Sequence, residues 1–117
     1  MHNKLRSEFE AGENSFLIKL RCELSWDWDA FYKCSSLMFD VAIIENKKQS
    51  VDMWVAQGFW FMDTWVKDWT SHEKFERPES ERYEKAILML SELAYLLFNG
   101  ESQYSDDTLE KLAKNEV

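Results

Sequence analysis

The chain has little proline and glycine: its 117 positions include one proline and three glycines. Sandwiches and barrels need frequent turns, which these two residues commonly supply. Hydrophobic residues make up 45% of the chain, which is enough for a packed core and too much for a disordered segment. A chain of this length buries roughly two thirds of the surface that it exposes when unfolded. Composition therefore predicts a single all-α domain.

The chain also lacks the residues that common enzyme sites require. His2 and His72 are its two histidines, and the segment 72–76 has glutamate where a zinc-binding HExxH helix has its second histidine. It contains no GxGxxG, no phosphate-binding loop and no GxSxG. Cys22 and Cys34 have neither metal nor disulfide spacing, so we expect two buried, reduced thiols. We predict no catalytic, metal or cofactor site; a helical enzyme with an unrecognised site is an alternative.

Long apolar runs and an excess of basic charge are absent too. No stretch approaches the roughly 18–20 apolar residues of a membrane-spanning helix, and residues 1–15 lack the apolar core of a secretory signal. Fourteen basic and twenty-two acidic side chains give a net charge of −8. Such a field repels nucleic-acid backbones and anionic membranes, and it attracts cationic proteins. We expect a cytoplasmic protein that binds neither nucleic acid nor membranes directly.

The segment 51–69 is the most informative stretch, because it holds four of the six tryptophans. Its apolar residues recur at helical spacing and predict an amphipathic helix with Ser50 as N-cap. The predicted apolar face comprises Val51, Trp54, Val55, Gly58, Phe59, Met62, Trp65, Val66 and Trp69. Gly58 is expected to admit a neighbouring side chain. Trp60 departs from the pattern, because it falls on the polar arc beside Met53 and close to Asp63.

Similar patterns predict the remaining helices of a bundle of four to five. They cover 16–24, a segment from an N-cap at Ser25 or Asp27 to about residue 46, 79–99, and a last element after Ser105. Pro78 is expected in the first turn of the helix at 79–99, and Gly100 at its end. That helix is apolar almost all round, which predicts a place in the middle of the bundle. Residues 1–12 are expected to be flexible or weakly ordered, with at most a short helical turn around Leu5 to Phe9.

A second apolar stripe, formed by Tyr32, Phe39 and Ile43, lies opposite the main apolar face of its helix. It is either covered by neighbouring helices or available to a partner.

Tryptophans interleaved with acids form the candidate binding residues. Aromatic residues are favoured at interface centres, and acidic side chains at the rim speed association with a basic partner. The candidate partner-binding residues are Trp26, Asp27, Trp28, Asp29, Asp52, Met53, Trp60 and Asp63. As an alternative, Trp26 or Trp28 staples the first two helices together. We expect at least one of Trp26, Trp28 and Trp60 to be exposed.

A small, acidic, all-helical chain that bears the segments WDWD (26–29) and FWFMDTWVKDW (59–69) resembles the immunity proteins of bacterial contact-dependent inhibition and related polymorphic toxin systems. The resemblance is one of general build over the whole chain. It implies a cognate toxin as partner, commonly a basic nuclease domain whose active site or substrate cleft is blocked. The alternatives are a secretion chaperone or adaptor that holds an amphipathic segment on the second apolar stripe, and a homo-oligomer.

Overall fold

Six α-helices make up the regular structure of the computed structural model, which describes residues 1–77 and 79–116. They are α1 (His2–Phe9), α2 (Phe16–Cys22), α3 (Trp28–Lys48), α4 (Met53–Thr70), α5 (Ser80–Asn99) and α6 (Asp106–Ala113). The prediction of an all-α fold is confirmed, whereas the expected count of four to five helices is too low. The additional helix is α1, which lies in the segment expected to be weakly ordered. Pro78 lies outside the described residues.

Side-chain caps fix where three of the six helices of the described residues begin. The hydroxyl of Ser15 accepts from the Ile18 amide, and the carboxylate of Asp27 accepts from the Ala30 amide at 2.9 Å. Ser105 caps α6 in the same way, as the sequence predicted. The expected cap of α4 was wrong, because α4 begins at Met53 with Asp52 at the N-cap position.

The ends of α2 and α5 depend on residues with left-handed backbone. Gly100, at a φ of 78°, ends α5 as predicted. By contrast, α2 stops at Cys22, two residues earlier than predicted, since Leu24 has a φ of 49°. The indole Nε1 of Trp69 donates to the carbonyl of Leu20 at 3.0 Å. This bond satisfies one of the carbonyl groups that a helix end leaves free, and it ties α4 to α2.

α5 packs against both α3 and α4. Two hydrogen bonds show that α4 and α5 are antiparallel. One joins the hydroxyls of Thr70 and Tyr83 at 2.6 Å, and in the other the Ser91 hydroxyl donates to the Asp63 carboxylate. The sum of the paired residue numbers is almost the same in both pairs, so the register is constant along the contact. This register places Trp60 level with Tyr95.

The third long helix, α3, runs parallel to α5. The Asn46 side chain donates to the carbonyl of Leu97 at one end, and Arg82 donates to the Tyr32 hydroxyl at the other. On its other side α3 carries α6, which is held by a bond from the Ser35 hydroxyl to a backbone carbonyl of that helix.

The second apolar stripe is covered in this arrangement. Phe39 is buried, and Tyr32 and Ile43 are half-buried. The structure therefore favours the first of the two alternatives for this stripe.

α1 closes the bundle by packing against α3 and α4. Leu5 is fully buried, and the ring of Phe9 lies in the notch that Gly58 leaves in α4. A methyl group on Gly58 would overlap this ring, so the prediction that Gly58 admits a neighbouring side chain is confirmed. Eight residues form a marginal helix when isolated. α1 is therefore stabilised by the burial of Leu5 and Phe9 against the other helices. Its own short sequence pattern does not predict this burial.

A buried carboxylate, Glu8, lies on the inner side of α1. Its Oε1 accepts a weak hydrogen bond from the Phe16 amide at 3.4 Å. Burial raises the pKa of Glu8, and the bond from Phe16 opposes this shift only in part. The neighbouring Cys34 is buried as expected, and its burial raises the pKa of its thiol well above the ordinary value. Cys22 is exposed, contrary to expectation, because α2 ends there.

We expect Gly58→Ala to lower the free energy of unfolding by about 1–3 kcal/mol, because the new methyl group must displace the Phe9 ring. Alanine on its own would favour the helix by about 1 kcal/mol. Urea denaturation measures the change, and Gln57→Ala, at the exposed neighbouring position, is the control. In a Phe9→Ala background the penalty should disappear. An equal penalty in both backgrounds would contradict the contact.

Glu8→Gln should stabilise the protein at pH 7, because the amide keeps an acceptor for Phe16 and removes the cost of a buried charge. The pKa of Glu8 is raised on folding, so this cost is fully present above the folded-state pKa. It vanishes as the pH falls toward the ordinary value of 4.5. The difference in melting temperature between variant and wild type should shrink over the same interval. Glu13→Gln, an exposed change, is the control; a difference independent of pH would be inconsistent with this account.

Candidate partner-binding surface

The two tryptophans of the WDWD segment pack against other residues of the same chain. Trp26 is only 5% exposed, and its ring packs edge-on against Phe16 at 4.9 Å and Tyr83 at 5.2 Å between centroids. Trp28 is half-buried, with the guanidinium of Arg82 4.2 Å above its ring. Trp26 is therefore a core residue and does not offer its ring to a partner. The alternative interpretation, in which one of these tryptophans staples the first two predicted helices, fits Trp26, whose ring contacts Phe16 of α2 and Phe31 of α3.

The two acids of this segment differ in their surroundings. Asp27 caps α3 and pairs with Lys19, whose Nζ lies 2.6 Å from its carboxylate. The hydrogen bond from Lys19 is the main reason why the pKa of Asp27 is lowered. Asp29 is exposed in the first turn of α3, where its charge suits the helix dipole. Asp27 is thus occupied by contacts within the chain, and Asp29 lies on α3, not on α4.

The four candidates on and next to α4 remain available. Trp60 is 63% exposed, which confirms that at least one of the three singled-out tryptophans lies in water. Met53 is also exposed, on the side of α4 that faces away from the core. Asp52, at the N-cap position, is exposed and its side chain makes no capping hydrogen bond. Asp63 is half-buried beside α5, where Ser91 donates to it.

Three hydrophobic residues of α5 join this group, and sequence reasoning missed them. Leu88, Tyr95 and Phe98 are exposed, and Tyr95 is half in water. At about 100° per residue all three lie on the side of α5 that carries Ser91, and so next to α4. Together they form what we call the α4–α5 surface, which comprises Met53, Trp60, Leu88, Tyr95 and Phe98. The signal for it was the apolar stripe of α5, which we expected to be buried.

Acidic side chains accompany the α4–α5 surface. Asp52 lies at the start of α4, Asp63 lies between the two helices, and the exposed Glu84 is one turn before Leu88. Lys67 is a basic residue on the same side of α4. With a net charge of −8 on the whole chain, the surface combines an apolar centre with an acidic surround. This combination is complementary to a basic protein surface.

A second aromatic group occupies the opposite side of α4. The rings of Phe61, Trp65 and Trp69 stack on one another, with centroids 5.0 and 5.2 Å apart and nearly parallel planes. Their faces are used within this stack, and Trp69 is tied to α2 through its indole nitrogen. A shallow cleft of about 310 Å³ lies beside Trp69, next to Leu24 and other residues. These contacts give the stack a structural role.

The described residues show no further kind of site. Over residues 1–77 and 79–116, no group of three or more histidine, cysteine, aspartate or glutamate side chains is placed to hold a metal ion. In the same part of the chain, every helix is too short or too polar to cross a membrane.

Comparisons with known proteins do not indicate a function for this chain. No protein-family model, no curated protein and no solved structure matches the chain.

Proposed function

We propose that this chain is an immunity protein: a stoichiometric, non-catalytic inhibitor that binds a cognate bacterial toxin domain in the cytoplasm. The α4–α5 surface is the observation that carries the proposal. Five bulky hydrophobic side chains are exposed on two helices that pack against each other, with Trp60 and Tyr95 at the same level of the α4–α5 contact. Contiguous exposed apolar surface on a small protein marks an interaction site, whereas single exposed hydrophobic residues do not.

The energetics of Trp60 support a partner that covers it. Leaving a large hydrophobic side chain in water forgoes roughly 1.5–3 kcal/mol of burial free energy. Trp60 and Tyr95 belong to the residue types that dominate the centres of protein interfaces. Both project from long helices whose register is fixed, so the backbone that carries them is already ordered before a partner binds.

Charge favours a basic target. The acids around the α4–α5 surface and the net charge of −8 would steer a cationic protein to this side of the molecule. A nuclease domain must present basic residues to its phosphate-bearing substrate. An acidic surface with an apolar centre is suited to cover such a cleft and to exclude the substrate. We therefore infer a basic nuclease domain as the toxin.

The structure gives less support to a secretion chaperone or adaptor. That function required the second apolar stripe as a groove for an amphipathic segment. Phe39 is buried and Tyr32 contacts Arg82 of α5, so this stripe is already occupied.

We expect Trp60→Ala combined with Tyr95→Ala to abolish protection against the toxin while the fold is retained. The proposal expects the toxin to be the C-terminal domain of an exported protein encoded immediately upstream, and this domain is the partner to be used. Removing two residues from an interface centre should weaken binding by at least about 100-fold, since each such residue contributes 2 kcal/mol or more. Isothermal titration calorimetry and growth during toxin expression measure the effect. Circular dichroism should stay unchanged.

The matched control is Ile44→Ala, which removes an exposed hydrophobic residue from α3, away from the α4–α5 surface. It should preserve both affinity and protection. Full protection by the folded double variant would reject this surface as the binding site. An upstream domain that is harmless when expressed alone would reject the immunity function.

A further inference from the structure

Asp63 occupies a special position in the α4–α5 surface. Its carboxylate lies at the line where α4 and α5 meet, and the Ser91 hydroxyl donates to its Oδ1. Trp60 is one turn before Asp63 on α4, and Tyr95 is one turn after Ser91 on α5. Because the helices are antiparallel, these two aromatic residues lie at the same end of the Asp63–Ser91 pair. The carboxylate is thus held in place beside two exposed rings.

The charge of Asp63 is not neutralised within the described part of the chain. Asp27, Asp40 and Asp63 are the half-buried aspartates among residues 1–77 and 79–116. Asp27 pairs with Lys19 at 2.6 Å, and Asp40 pairs with Lys114 at 2.9 Å. Asp63 has the neutral Ser91 hydroxyl instead. A carboxylate that is partly removed from water is stabilised by a cation.

Arginine is the side chain that suits these surroundings best. Its guanidinium is planar, donates in a fork that matches a carboxylate, and stacks on aromatic rings. The chain already contains this combination where the start of α5 meets α3. Arg82 lies 4.2 Å above the ring of Trp28, and it also donates to Glu79 at 3.1 Å. The α4–α5 surface offers the same combination of carboxylate and aromatic ring without an arginine.

We propose that Asp63 is the acceptor for an arginine of the partner, whose guanidinium packs against Trp60 and Tyr95. This inference rests on the proposed function and names the chemistry that the partner contributes. An arginine in a nuclease cleft normally binds substrate phosphate, and the Asp63 carboxylate takes the place of that phosphate. Ser91 acts as the positioning residue, because its hydroxyl fixes the direction of the carboxylate.

The decisive variant is Asp63→Asn, which keeps the size of the side chain and an oxygen for Ser91 but removes the charge. Its affinity for the toxin domain, measured by calorimetry, should fall by about 30-fold or more. Lys67→Met is the matched control, because Lys67 is one turn further along α4 and forms no ion pair with Asp63 in the described structure. Lys67 has the same sign of charge as a basic partner. Removing its positive charge should therefore leave the affinity for that partner unchanged or raise it.

A double-mutant cycle identifies the arginine. Each exposed arginine of the toxin domain is changed to glutamine and measured against wild type and Asp63→Asn. One of these changes should weaken binding to the wild type as much as Asp63→Asn does, and it should cause no further loss in the Asp63→Asn variant. Additive losses for every arginine would overturn the proposal. If Asp63→Asn binds normally while Trp60→Ala does not, the arginine site fails and the proposed function stands.

A probe that needs no toxin tests the same chemistry. N-acetyl-arginine-methylamide at millimolar concentration should shift the indole resonance of Trp60 in the wild type but not in Asp63→Asn. The citrulline analogue has the same shape without the charge and should have no effect. Equal shifts with both compounds would overturn the proposal. So would a wild-type dimer, seen by light scattering, that Trp60→Ala dissociates, because a second copy would then occupy the surface.

Discussion

The antiparallel contact between α4 and α5 is the constraint on which the rest of the structure depends. Two side-chain hydrogen bonds, Thr70 with Tyr83 and Ser91 with Asp63, hold one register along both helices. The register brings the exposed face of α4 beside the exposed stripe of α5, and so it creates the α4–α5 surface. It also leaves the inner faces of both helices for the core, where Phe59 and Leu93 are fully buried. Packing and the binding surface follow from the same contact.

The chain uses one combination of residues in two ways. In the WDWD segment the tryptophans and Asp27 are satisfied internally, by packing, by Arg82 and by Lys19. On the α4–α5 surface, within the residues that the structure describes, Trp60 is left in water and the half-buried Asp63 forms no ion pair. An aromatic residue beside an acid therefore indicates a binding site only where the chain itself does not supply the cation. This distinction separates the two candidate regions that the sequence suggested.

Periodicity predicted much of the fold and part of the site. It predicted the all-α class, the end of α5 at Gly100, the notch at Gly58 and the exposed position of Trp60. It predicted only a short helical turn around residues 5–9 where α1 forms, because an eight-residue helix is held by tertiary contacts that its own pattern does not show. It also missed the exposed stripe of α5, since periodicity assigns residues to faces but does not say which neighbour covers a face. Trp26 was misjudged for the same reason.

The most direct test of the central claim is to map, by nuclear magnetic resonance, which side chains of this protein change their environment when the toxin domain binds. The account predicts that the largest changes occur at Met53, Trp60, Leu88, Tyr95 and Phe98, and that the indole of buried Trp26 is little affected. Changes centred instead on the stacked rings of Phe61, Trp65 and Trp69, or on α6, would contradict it.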